Sequence, residues 1–166
     1  MHAKRVVTAI VALVAVGVIA AGAVSAARAD DSESRSRALV GTWDVTLQLP
    51  GAPPGRVLAT FNDDGTTVES AAAPPATRGS SHGVWERIGH DLFSVTRIFF
   101  RFNPQTGAFL GTTKVNATAR VASDGETFEA VSISELRDPA GALIVGGLRG
   151  TATATRVNVE AIDDRP

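Results

Sequence analysis

The sequence predicts an all-β protein, an eight-stranded antiparallel up-and-down barrel. Eight runs rich in Val, Thr, Leu, Ile and Phe show alternation of apolar and polar residues. Short segments of Gly, Pro, Asp or Asn separate these runs, as is typical of hairpin turns. Strands joined by short turns are antiparallel neighbours, and pairing the first strand with the eighth removes both exposed edges. A two-sheet sandwich is the alternative, because strand number alone does not distinguish the two architectures.

Composition excludes several functional classes. The 166 residues are enough for one domain, and 16 basic against 17 acidic residues give a net charge of -1. Without a basic surface, nucleic acid is not expected as a partner. The chain has no Cys, which excludes a disulfide framework and a thiolate zinc site. No cofactor is predicted.

The N-terminal segment has the three-part pattern of a secretory signal peptide. Lys4 and Arg5 precede an apolar run over residues 6–24, and Ala27-Arg28-Ala29 supplies a small-residue cleavage site. We therefore predict a signal peptide at residues 1–29, cleavage after Ala29, and a secreted or extracytoplasmic protein. The alternative is an uncleaved anchor, since the run would span ~28 Å as a helix. Cleavage would leave 13 basic and 17 acidic residues, and no stable membrane insertion is then expected.

The rest of the chain divides into a short leader, the barrel and a tail. Residues 30–37 are polar without periodicity and predict a flexible leader, residues 38–158 form the barrel domain, and residues 159–166 are a C-terminal tail. The longest irregular segment, Ala71 to Ser81, contains two prolines and is a candidate lid at the barrel mouth. The predicted strands are Leu39–Leu49, Arg56–Asn62, Thr66–Ser70, Gly83–Ile88, Leu92–Phe102, Ala108–Val121, Thr127–Arg137 and Ala142–Val157.

The predicted interior is rich in small residues. In the last three strands the inward face carries mostly Ala, Gly, Ser and Thr, and such residues leave space in a barrel of this size. The sequence therefore predicts a ligand cavity. Its candidate lining residues are Ser94, Thr96, Phe100, Thr113, Val115, Ser132, Ser134 and Ala152. In the alternative, a filled barrel, the aromatic side chains Trp43, Phe61, Phe100, Phe109 and Phe128 occupy this space from opposite walls.

The fifth strand has two possible orientations. Its uncharged face is assigned inward, so Arg97 and Arg101 point to solvent, where arginine is usually found. This leaves Phe93, Val95 and Phe99 outside, and a homodimer through this strand would cover them. The opposite orientation would bring both arginines into the cavity beside Glu86 or Glu135. A charged interior would favour an acidic ligand or catalysis.

No motif in the sequence indicates a catalytic or metal site. His82, Glu86 and His90 are spaced by four residues, which is ~13 Å per step along a strand, so they do not share one ion. There is no Cys nucleophile and no Gly-x-Ser-x-Gly elbow. No catalytic residue and no metal ligand are predicted.

Gly41-Thr42-Trp43 opens the first strand, and Arg156 lies near the end of the last. This pair resembles the Gly-x-Trp and arginine signature of the calycin superfamily of lipocalin-like barrels. The segments Phe61 to Thr66 and Gly83 to Arg87 are similar to those of small secreted bacterial lipocalin-like proteins. The resemblance implies that the arginine packs over the tryptophan and that Gly41, Trp43 and Arg156 close the base of the barrel.

With the predicted cavity, this resemblance favours a non-enzymatic protein that binds or carries a small apolar or amphipathic molecule. Two alternatives stay open. One is a barrel cyclase or isomerase of the allene oxide cyclase type, which is similar in shape and would polarise its substrate with buried charges. The other is a structural or interaction domain with a filled barrel.

Overall fold

Eight antiparallel strands make up the computed structural model, which describes residues 37–74 and 76–162. All of these residues belong to one unit, Arg35–Pro166. The predicted signal peptide, the leader except Arg37, and residues 163–166 of the predicted tail lie outside the described residues. Within the described part of the chain, no helix is long and apolar enough to cross a membrane.

The strands follow the predicted order closely. They are β1 (Gly41–Gln48), β2 (Gly55–Phe61), β3 (Thr66–Ala71), β4 (Ser81–Arg87), β5 (Leu92–Phe102), β6 (Phe109–Val121), β7 (Thr127–Arg137) and β8 (Leu143–Arg156). Each strand pairs with its neighbours in the chain, and β1 also pairs antiparallel with β8. The sheet is therefore a closed barrel, which confirms the predicted fold and excludes the two-sheet sandwich.

The two ends of the barrel differ in their connections. One end holds the start of β1, the end of β8 and the short turns 62–65, 88–91 and 122–126. We call it the closed end. The other end holds the connections 49–54, 72–80, 103–108 and 138–142, and we call it the open end.

The hydrophobic core is concentrated at the closed end. Leu39, Trp43 and Phe93 have no solvent-exposed surface there. The ring of Trp43 meets the edge of Phe128 at a centroid distance of 4.9 Å, and Trp85 meets Phe93 at 5.8 Å. Edge-to-face aromatic pairs of this kind add stability beyond the area they bury. This end of the barrel is thus filled by side chains.

The predicted orientation of β5 is wrong. Phe93 and Val95 are buried, whereas Ile98 is 45% and Phe100 is 55% exposed. Arg97 and Arg101 therefore face the interior, because alternate residues of a strand lie on the same side of the sheet. Burial of the phenylalanine and valine at the closed end outweighs the usual exposure of arginine. The predicted reason for a homodimer through β5 is removed, since Phe93 and Val95 are already covered.

Candidate functional site

The closed end of the barrel is covered by Arg156. Its guanidinium carbon lies 4.3 Å from the centre of the Trp43 ring, and the two residues are register partners between β1 and β8. Arg156 Nε donates to Gly125 O at 2.7 Å, Nη1 to Val40 O at 2.7 Å, and Nη2 to Ala38 O at 2.6 Å. Each guanidinium nitrogen thus has a carbonyl partner, as a partly buried charge requires.

Gly41 makes room for this arginine. A Cβ atom at position 41 would lie 2.8 Å from Arg156 Nη1, and the backbone of Gly41 has a φ of 128°. A side chain at this position would both collide with the guanidinium and adopt a strained backbone. The structure therefore brings together Gly41, Trp43 and Arg156, the three residues assigned to barrel closure by the resemblance.

A cavity of about 340 Å³ occupies the barrel between the open end and the core. Most of its wall is apolar, with small residues on β6, β7 and β8 facing large apolar residues elsewhere. A filled barrel is therefore not the arrangement in this half of the molecule. Large apolar residues of the wall include Val45, Leu47, Phe61, Val95, Phe99 and Leu148.

The predicted lining residues fall into two groups. Five of them lie on the cavity wall: Thr113, Val115, Ser132, Ser134 and Ala152. That these residues bind a ligand stays a prediction. Ser94, Thr96 and Phe100 are not, because they lie on the outer face of β5. Thr96 instead shares a hydrogen bond of 3.0 Å with Asn116 on the exposed surface of β6.

Three arginines and one glutamate interrupt the apolar wall of the cavity. Glu69 on β3 is only 5% exposed and forms ion pairs with two arginines through different oxygens. Its Oε1 accepts from Arg78 Nη2 at 2.8 Å, and its Oε2 contacts Arg97 Nη1. The charged partner of Arg97 is therefore Glu69, and not Glu86 or Glu135.

Arg97 is deeply buried, with 12% of its side chain exposed. Burial lowers its pKa, while the nearby charge of Glu69 raises it and that of Arg78 lowers it. Its side chain passes beside Gly83 on the paired strand β4, where a Cβ atom would lie 2.7 Å from Arg97 Cγ. Gly83 thus leaves the space that the stem of Arg97 occupies.

Arg101 lies nearer the open end and has no carboxylate partner among the described residues. Its Nη2 donates to Leu110 O at 3.1 Å and to Arg137 O at 3.0 Å. Its Nε is buried without a hydrogen-bond partner, and the same is true of Arg78 Nε and Ser81 Oγ. These are the unpartnered buried side-chain polar atoms of the described residues, and all belong to open-end residues.

The segment that was predicted as a lid delivers Arg78 to this cluster. All of Ala71 to Ser81 except Pro75 is described, and residues 77–79 lie along the end of β5. Gly79 N donates to Phe100 O and Phe102 N donates to Thr77 O, each at 3.0 Å. The guanidinium of Arg78 then stacks 3.7 Å above the Phe99 ring. Movement of this segment stays a prediction.

Sequence reasoning missed Glu69 and Arg78 and placed Arg97 and Arg101 on the wrong face. The signal that could have found the arginines is the β4–β5 hairpin. Trp85 pairs with Val95, and directly paired residues share a face of the sheet. An inward Trp85 therefore requires an inward Val95, and with it both arginines of β5.

Metal binding has no evident site in the described ranges. His82, Glu86 and His90 are all exposed and do not converge. Across residues 37–74 and 76–162, no group of three or more His, Asp or Glu side chains is arranged to hold an ion.

Comparison with known proteins relates the chain to solved structures by fold alone. No family model and no curated protein matches the sequence. The structure of EF1p2_mFAP2b bound to DFHBI is similar with a TM-score of 0.57 and 15% identity, covering 75% of this chain and 98% of that one. The redesigned beta barrel b11L5F_LGL gives a TM-score of 0.49 at 18% identity, with 75% and 96% coverage. Treponema pallidum Tp0751 (Pallilysin) gives 0.41 at 12% identity, with 84% and 97% coverage.

Proposed function

We propose that this chain is an exported, lipocalin-like barrel that binds or carries a small apolar or amphipathic molecule. The observation that carries the proposal is the cavity of about 340 Å³, which lies within the size range of small-molecule sites. Its wall combines a large apolar area with a few polar groups, the usual composition of such sites. EF1p2_mFAP2b, a barrel of similar fold, is bound to DFHBI, which supports the use of this architecture for a small ligand.

A carrier fits the site better than a cyclase or isomerase. The charged interior that an enzyme would need is present, because Glu69, Arg78 and Arg97 all reach the cavity. However, Glu69 engages an arginine with each of its two oxygens. A general base must instead reach a proton of the substrate. The role that fits Glu69 is to hold Arg78 and Arg97 in place.

The test is a fluorescence titration of the full-length chain with the neutral dye N-phenyl-1-naphthylamine. Ser132→Phe places a large ring inside the cavity, and Val131→Phe places the same ring on the outer face of the same strand. We expect Ser132→Phe to weaken dye binding by at least about tenfold, or ~1.4 kcal/mol, and Val131→Phe to leave it within about twofold. Circular dichroism of both variants checks that they fold.

Equal binding by the two variants would place the dye outside the barrel, and no binding by the wild type would contradict the proposal outright. The proposed export is tested separately, by identifying the first residue of protein recovered outside the cytoplasm. Cleavage after Ala29 predicts Asp30 at that position.

A further inference from the structure

The cavity carries more positive than negative charge. Arg78, Arg97 and Arg101 line it, and Glu69 is the one acidic residue of its wall. Charges removed from water are stable when they are paired and hydrogen-bonded. One carboxylate does not neutralise three guanidinium groups, so the described residues leave two positive charges in the cavity without a counter-charge.

The uncompensated charge is concentrated toward the open end. Glu69 contacts Arg78 and Arg97, whereas Arg101 has only the neutral carbonyl oxygens of Leu110 and Arg137 as partners. Arg101 lies four residues after Arg97 on β5, which is ~13 Å farther along the strand toward the open end. Residues 78 and 101 form a bridge between their backbones, so both side chains start from the same place.

Buried donors without acceptors lie in the same place. Arg78 Nε and Arg101 Nε are buried and unpartnered, and so is Oγ of Ser81, which is the register partner of Glu69. An unsatisfied buried donor is costly and is rare in native proteins. At the closed end of the same barrel, all three nitrogens of Arg156 are paired. At the open end, by contrast, the Nε atoms of Arg78 and Arg101 have no acceptor.

We infer, as a refinement that rests on the proposed function, that the ligand carries an oxyanion such as a carboxylate or sulfonate, held by Arg101 and Arg78 at the open end. Its apolar body extends toward Phe61 and Phe128 along the apolar wall. A guanidinium fork suits a two-oxygen acceptor, and hydrogen bonds to charged groups are among the stronger ones. Glu69 keeps Arg78 and Arg97 in position and limits the charge of the empty cavity.

The test compares two dyes that differ in one charged group. 1-Anilinonaphthalene-8-sulfonate has the ring systems of N-phenyl-1-naphthylamine and an added sulfonate. Arg101→Met removes a charge inside the cavity, and Arg120→Met removes one on the exposed outer surface of β6. We expect Arg101→Met to weaken sulfonate dye binding about tenfold while neutral dye binding stays within about twofold, and Arg120→Met to change neither.

A second variant distinguishes the loss of a charge from the loss of structure. Arg101→Lys keeps a positive charge at this position, so the sulfonate dye should bind within about threefold of the wild type and the neutral dye should be unaffected. Because the lysine and methionine variants lose the same guanidinium hydrogen bonds, a loss of structure alone would weaken the sulfonate dye equally in both. Ser132→Phe should weaken binding of both dyes by at least about tenfold, which would show that both bind in the cavity.

The outcomes separate the two proposals. If Arg101→Met weakens both dyes equally, or Arg120→Met matches its effect on the sulfonate dye, the anionic ligand is rejected while the carrier function stands. The same holds if Arg101→Lys weakens sulfonate binding as much as Arg101→Met does. If the neutral dye does not bind the wild type, the proposed function and this inference are rejected together.

Discussion

The two ends of this barrel are built on the same alternation of inward and outward residues, yet they differ in what fills them. At the closed end, β7 and β6 contribute Phe128 and Val121, which join Trp43 and Phe93 in a packed core. Toward the open end, the same two strands contribute Ser132, Ser134 and Thr113, which border a cavity. The size of the inward residues along each strand, and not the alternation of inward and outward residues, therefore decides which half of the barrel is filled by side chains.

The comparison extends to a half-buried arginine at each end. Arg156 has a ring beneath it and a carbonyl for each nitrogen, so it is complete without a ligand. Arg101 has two carbonyl partners on one nitrogen and an unpartnered Nε. A satisfied guanidinium is typical of a structural role, and the unsatisfied one lies where we propose that the oxyanion of a ligand binds.

The largest predicted effect is on protein stability, which replacement of Arg156 should lower far more than replacement of Arg101. Arg156→Met leaves three carbonyl oxygens without their donor, and we expect the free energy of unfolding to fall by about 3 kcal/mol. Arg101→Met also removes repulsion between like charges in the cavity, so we expect a loss of less than about 1 kcal/mol. Urea denaturation followed by tryptophan fluorescence measures both. Equal losses would mean that the two ends use their arginines in the same way.

A smaller effect is expected from two alanines of β8, one in the core and one on the cavity wall. Ala154 is buried in the core, and Ala152 lines the cavity. Ala154→Leu should destabilise the protein by about 1–3 kcal/mol, because extra methyl groups in a packed core force strain. Ala152→Leu should change stability by less than about 1 kcal/mol in either direction, because the space is already there. The cavity interpretation would not survive if Ala152→Leu were the more damaging change in urea denaturation.

The smallest effect is expected at an ion pair outside the barrel, which serves as the exposed counterpart of Glu69 and Arg97. The hydrogen bond from Arg56 lowers the pKa of Asp44; the side chain of Arg56 is 70% exposed and that of Asp44 is 31% exposed. A carboxyl group whose pKa is lower in the folded state than in the unfolded state stabilises the folded protein at pH values above its unfolded-state pKa. This stabilisation is lost as the pH falls through the folded-state pKa. Asp44→Asn should therefore destabilise slightly at neutral pH and not at all in strong acid, as measured by urea denaturation across this range.

Much of the fold could be predicted from the sequence because the turns are local signals. The bounds of β5 and β7 match the predicted ranges at both ends, since Gly, Pro and Asp mark the flanking turns. The small residues of the last three strands correctly indicated a cavity beside Thr113, Val115 and Ala152. Both features depend on residues near one another in the chain.

The charged part of the site could not be predicted from one strand at a time. The pairing of Arg97 with Glu69 joins β5 to β3, and Arg78 comes from an irregular segment with no periodicity to orient it. The general preference of arginine for solvent then decided the orientation of β5 incorrectly. The register of the β4–β5 hairpin, which pairs Trp85 with Val95, contains the right orientation.

Because β1 starts and β8 finishes at the closed end, the polypeptide enters and leaves the barrel on the side opposite its mouth. A tether joined beyond β8 would therefore hold the molecule by its base, with the opening turned toward bulk solution. On a sensor surface this attachment leaves the route to Arg101 unobstructed, so capture through the C-terminal side is the orientation suited to measuring small solutes.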